Sequence, residues 1–191
     1  MLRVLLAVDT DRSIAGMRDA LQRAGYEVIA EVASARALLR AVETERPDVV
    51  IIDTESPARD TLEQLAAMNS AAPRPVVMFS GTGNAAIIRA AVSAGVSAYV
   101  VDGLSPERLA PILEVARARF DEESRLRQRL ADAEQRLADR KLIERAKGIV
   151  MARRGLPEDA AFELMRNKAM QQGLKITDVA RQLIAMSDLL S

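Results

Sequence analysis

Val49-Val-Ile-Ile52 is a continuous apolar run that stops at the carboxylate of Asp53, and its reading decides the fold of the first half of the chain. A run without polar alternation predicts a strand whose two faces are both covered, as in a parallel sheet. Upstream, Arg3-Val-Leu-Leu-Ala-Val8 stops in the same way at Asp9, and downstream Pro75-Val-Val-Met-Phe79 stops at Ser80. Tyr26-Glu-Val-Ile-Ala30 and Ala98-Tyr-Val-Val101 complete a set of five strands. Helical spacing fills the intervals: Ile14 to Gly25, a segment capped by Ser34 and running to about Glu45, Leu62 to Met68, and Ala85 to Ala94 closed by Gly95. Five strands alternating with helices predict a doubly wound α/β domain around a parallel sheet.

Ser105-Pro106-Glu107 then starts a helix, with serine at the N-cap and proline at the first helical position. From Pro106 to Arg154 the only glycine is Gly148 and the only further proline is Pro111, which is expected to kink the early turns against the carbonyl of Glu107. The result is a largely continuous helix of roughly forty residues. Leu126, Leu130, Ala133 and Leu137 step by four, three and four, the spacing of a coiled-coil seam, so a homodimer is expected; a solvated spacer is the alternative. After Gly155 come two shorter helices, Pro157 to about Gln172 closed by Gly173, and about Thr177 to Leu189. Ala161, Phe162, Leu164, Met165 and Met170, with Ile176, Val179, Ala180, Leu183 and Ile184, are expected to pack against Ile143, Ala146, Ile149 and Val150. The expected division is a domain over 1–120, a coiled-coil linker over 121–139 and a three-helix domain over 140–191.

Composition narrows the chemistry. The 191 residues contain no cysteine and no histidine, which removes disulfides, thiol nucleophiles, His-based triads and most zinc sites. Formal net charge is zero, but residues 140–181 carry ten basic against five acidic side chains, and all four lysines (Lys141, Lys147, Lys168 and Lys175) fall there. The first 140 residues thus have arginine as their only long cation. No apolar run reaches the roughly 18 to 20 residues of a membrane span, and the start of the chain lacks a signal-peptide pattern, so a cytoplasmic protein is expected.

In an open parallel sheet, ligands bind beyond the carboxyl ends of the strands, where Asp9, Asp11, Asp53 and Ser80 fall. Clustered carboxylates invite Mg²⁺, which can hold a phosphoryl group on an aspartate; the plainer reading is that these residues cap loops. In order and spacing, residues 1 to about 120 resemble a response-regulator receiver domain, which implies a flavodoxin-like fold. The resemblance makes Asp9 and Asp11, with Asp53, the acidic metal pocket, Asp53 followed by Pro57 the phosphoacceptor, Ser80 the switch hydroxyl and Tyr99 the switch aromatic. Two departures follow. Thr10 separates the acidic pair that is adjacent in the family, weakening the Mg²⁺ site, so no cofactor is required. Asp102 stands at the position of the family's lysine, where a carboxylate would repel a phosphorylated Asp53. Asp53 is therefore expected to be a vestigial acceptor.

Beyond Leu137 the seam turns charged at Arg140, Glu144 and Lys147, which reads either as a solvated end of the coil or as a recognition surface. Arg140, Lys141, Arg145, Lys147, Arg153 and Arg154 load one helix end, and Arg166, Lys168 and Lys175 can join them, a pattern suited to phosphates. Arg140-Lys-Leu-Ile-Glu-Arg-Ala-Lys-Gly-Ile-Val-Met151, Glu158-Asp-Ala-Ala-Phe162, Leu164-Met-Arg166 and Ile176-Thr-Asp-Val-Ala180 resemble the ANTAR domain. That resemblance implies an RNA-binding antitermination module that engages paired hairpins of a leader transcript as a dimer. Within it Arg140 and Lys147 are the foremost expected RNA contacts, Gly148 is expected to allow close approach, and Phe162 is expected in the core.

Ala94-Gly-Val-Ser-Ala-Tyr-Val-Val-Asp-Gly-Leu104 resembles the NasT branch of these regulators, which implies nitrate and nitrite assimilation and sequestration by a nitrate-sensing NasS-like protein. Other readings are a conventional two-component regulator phosphorylated on Asp53, and a DNA-binding helix-turn-helix around Gly173. The latter offers Arg181 and Gln182 but then Leu183, Ile184, Ala185 and Met186, a poor set for base edges. An enzyme lacks an acid/base pair or a nucleophile beyond Asp53.

Overall fold

The computed structural model describes residues 1–8, 14–33, 35–101 and 106–188. The expected caps at Ser34 and Ser105, and the roles expected of Asp9, Asp11 and Asp102, lie outside the described residues. The described residues fall into two compact units, Met1–Ser124 and Arg125–Ser191.

In the first unit, β1 (Leu2–Val8), β2 (Tyr26–Val32), β3 (Val49–Thr54), β4 (Val76–Ser80) and β5 (Ala98–Val101) form one parallel sheet in the order β2-β1-β3-β4-β5. This is the flavodoxin-like order of doubly wound folds. The strands alternate with α1 (Ile14–Arg23), α2 (Ala35–Glu45), α3 (Arg59–Ala71) and α4 (Ala85–Ser93). Successive residues of each central strand go to opposite faces, which explains the continuous apolar runs. Leu6, Ile51 and Phe79 pack under Met17 and Leu21 of α1 and under Leu109 and Leu113 of the helix after β5. Leu5, Val50 and Met78 face Leu38 of α2, Leu65 of α3 and Ala91 of α4. The third helix runs three residues further at each end than its apolar spacing predicts, because Asp60 in its first turn suits the helix N-terminus and polar residues carry no period.

The helix after β5, α5 (Pro106–Arg154), is 49 residues long and continues through Pro111. Proline falls early enough in it that only one helical hydrogen bond, to Glu107, is forfeited. In the second unit the end of α5 meets α6 (Glu158–Gln172) and α7 (Ile176–Asp188) around Ala146, Val150, Ala161, Met165, Ala180 and Ile184. Here the expected core is corrected. Phe162 is 39% exposed, and Leu164 and Met170 are also exposed. The buried positions of α6 are Ala161, Met165 and Ala169, a strict four-residue stripe, so a residue one step round the helix from it is left at the surface. At the end of α6, Gly173 takes φ 63°, and Leu174 donates to the carbonyl of Ala169 at 3.0 Å in a Schellman closure.

Among the described residues no helix is long and apolar enough to cross a membrane.

Candidate functional site

Two places carry the residues singled out by sequence, one in each unit. At the carboxyl edge of the sheet, register aligns Val8 with Asp53, Thr54 with Ser80 and Ser80 with Val101. Parallel pairing thus sets Asp53 and Ser80 on neighbouring strands at the same edge. Both are sheltered, Asp53 at 6% and Ser80 at 1% exposure, and Pro57, four residues after Asp53, is buried.

The Ser80 hydroxyl is already engaged. Its Oγ donates to the Glu55 carbonyl at 3.1 Å and accepts from the Thr82 backbone N–H at 3.2 Å. Thr82 Oγ1 and the Gly81 N–H also donate to the Glu55 carbonyl, each at 3.1 Å. Tyr99 Oη donates to the Thr82 carbonyl at 2.8 Å. A relay therefore runs from Tyr99 on β5 through Thr82 and Ser80 to the loop after β3. Any negatively charged group built on Asp53 that drew in the Ser80 hydroxyl would have to break its bond to Glu55, disturbing the Thr82 segment that Tyr99 holds. Sequence reasoning missed Thr82 and Glu55, since bonds to backbone carbonyls leave no residue-type signature.

Mg²⁺ requires several oxygen ligands. Asp53 is the one described member of the expected acidic pocket, and among the described residues no group of three carboxylates could hold a metal.

In the second unit the cations divide by environment. Arg140, Lys141, Arg154, Arg166, Lys168 and Lys175 are exposed and make no ion pair among the described residues. Arg145 pairs with Asp188 at 3.0 Å, and Arg153 donates to Ser187 Oγ at 3.3 Å. Gly148 is exposed on α5, with nothing within 4 Å of a Cβ placed there.

Lys147 is different. It is 8% exposed, and its Nζ lies 2.6 Å from Glu144 Oε2 and 2.6 Å from Glu158 Oε1. The hydrogen bonds it donates to Glu144 and then to Glu158 hold its pKa above the ordinary lysine value, and Lys147 holds the Glu158 carboxyl below the usual range. A cation so enclosed ties the last turns of α5 to the first turn of α6 and has little surface to offer a phosphate. The residue expected to be a foremost RNA contact is thus engaged within the domain, between α5 and α6. Glu144, three residues before Lys147 on the same helix face, was the available signal for half of this clamp.

A profile of the response regulator receiver domain matches residues 4–114, and one of the ANTAR domain matches residues 131–184. The chain belongs to the ANTAR-domain response regulators. Transcriptional regulatory protein PdtaR of Mycobacterium tuberculosis is 31% identical over 182 residues, covering 95% of this chain and 89% of the relative. A nitrate regulatory protein of Klebsiella oxytoca is 32% identical over 78 residues, 41% of this chain and 20% of that protein. Among solved structures, a LuxR-family two-component response regulator from Aurantimonas sp. SI85-9A1 aligns with TM-score 0.55 and 27% identity, over 62% of this chain and 86% of that one. The ANTAR response regulators are regulatory proteins rather than enzymes.

Proposed function

We propose that this ANTAR response regulator is an RNA-binding antitermination factor whose three-helix domain, 140–191, engages paired hairpins in a leader transcript. The observation that carries the reading is that six exposed cations within 140–191 make neither an ion pair nor a side-chain hydrogen bond among the described residues, against a first unit that has no lysine at all. Unpaired cations release phosphate counterions on binding without first giving up a carboxylate partner. Arg140, Lys141, Arg154, Arg166, Lys168 and Lys175 are assigned as direct contacts, Gly148 as a point of close approach, and Arg145 and Arg153 as contacts that exchange Asp188 and Ser187 for RNA. Lys147 positions the helices that present them.

The exposed seam of Leu126, Leu130 and Leu137 in the linker, 121–139, supports a homodimer matching two hairpins. The receiver-like domain, 1–120, acts as a pseudo-receiver under the control of a nitrate-sensing NasS-like protein that sequesters it, and the genes controlled are those of nitrate and nitrite assimilation. The likeness to the nitrate regulatory protein of Klebsiella oxytoca and the absence of any lysine before Lys141 support this. A second reading, activation by phosphorylation of Asp53, is supported by the placement of Asp53 and Ser80 on neighbouring strands at the carboxyl edge of the sheet.

A gel shift comparing the leader RNA with duplex DNA of the same sequence tests the output, and RNA alone should shift; equal shifts would contradict the reading. Pull-down from cells grown with and without nitrate tests the control, and a partner should be recovered only without nitrate. Acetyl phosphate that labelled Asp53 and altered RNA affinity would favour the second reading instead.

A further inference from the structure

Between α6, α7 and the end of α5 lies a groove of about 450 Å³, within the size range of small-ligand sites. Its floor is apolar, made by buried Met165 and Val179 with half-buried Leu183, and Leu164 stands exposed at its mouth. Four polar side chains edge it. Asn167 and Gln171 are four residues apart on α6, and Leu164 and Lys168 share that spacing, so one helical face presents two amides, a cation and an apolar surface together. Arg154 supplies a second cation from α5. Neither Arg154 nor Lys168 has an ion-pair partner among the described residues.

We propose that this groove receives one unpaired nucleotide of an RNA hairpin loop, with the base on Leu164 and Leu183, its hydrogen-bonding edge read by Asn167 and Gln171, and its phosphate met by Arg154 and Lys168. The proposal rests on the RNA-binding reading above and adds where sequence discrimination resides. An amide offers a donor and an acceptor side by side, which matches a base edge, and splayed loop bases are the usual target of sequence-specific RNA recognition. A purely apolar ligand would leave two cations and two amides at its rim unused. No aromatic ring lines the groove, so the base lies on aliphatic carbon and its edge contacts set the preference.

Hairpins with randomised loops, selected for retention on the full chain, provide the probe. The selected hairpins should bind Asn167→Ala and Gln171→Ala about 10- to 100-fold more weakly and lose preference at one loop position, with an unchanged salt slope. Arg154→Ala and Lys168→Ala should weaken all loops alike and lower the salt slope by about one each. All four side chains are exposed, and circular dichroism checks that each variant folds as the wild type does. Enriched hairpins whose loop preference is unchanged in both amide variants would overturn the groove assignment alone. Failure to enrich any hairpin would overturn it together with the RNA reading.

Discussion

The ammonium of Lys147 lies 2.6 Å from both Glu144 and Glu158, so its removal leaves two carboxylates facing each other where α5 meets α6. Lys147→Met should lower the thermal midpoint of the ANTAR unit and leave the salt slope of RNA binding unchanged, whereas Arg140→Ala should do the reverse. Thermal melts and salt-dependent titrations of the two variants separate a positioning residue from a phosphate contact. The clamp also has a pH signature. Glu158 is held below its ordinary value near 4.5, so its contribution is complete above that value and is lost as pH falls through the lower folded one. Lys147 is held above 10.5, so its contribution is complete below that value and is lost only as pH rises through the higher folded one. Glu158→Gln should therefore melt below the wild type at neutral pH, with the gap closing in acid. Gly173 offers a backbone test: its φ of 63° favours glycine and nothing lies within 4 Å of an added Cβ, so Gly173→Ala should cost about 1–2 kcal/mol in denaturant unfolding through conformation alone.

At the scale of elements, α5 presents Leu126, Leu130 and Leu137 at 54%, 61% and 55% exposure on the coiled-coil spacing. Burying the exposed half of six leucines in a dimer contributes roughly 5–9 kcal/mol, taking about 1.5–3 kcal/mol for each side chain fully buried. Association itself costs about 4–15 kcal/mol, so the seam alone makes a marginal dimer that paired hairpins would reinforce. Sedimentation equilibrium should show self-association that rises with concentration and is lost in Leu130→Asp; unchanged association in that variant would assign the dimer to another surface. Element legibility follows the same physics. The strands were readable because both sheet faces are covered and the runs are unbroken, and the long helix because glycine and proline are nearly absent from it. The exposed placing of Phe162 was not readable, because three short helices around alanine-rich contacts bury only a narrow stripe and helical spacing does not say how wide the stripe is.

Across the whole molecule, zero net charge conceals an uneven allocation: arginine alone among the long cations up to residue 140, and ten cations against five carboxylates from 140 to 181. The sequence signalled the strand-end carboxylate and hydroxyl at Asp53 and Ser80, but not the relay through Thr82 and the Glu55 carbonyl, which depends on backbone groups that register brings together. It likewise signalled a basic tail without showing which cations are held internally. The most direct measurement of the central claim is the affinity of wild-type protein for a fluorescent leader hairpin across a salt series, alongside the double variant Arg140→Ala and Lys141→Ala. The wild type should bind with log K falling linearly in log salt, at roughly 0.7–0.9 per phosphate contacted, and the double variant should bind more weakly with a slope smaller by about two. Equal affinities and slopes for the two proteins would contradict an RNA-binding role for this cationic surface.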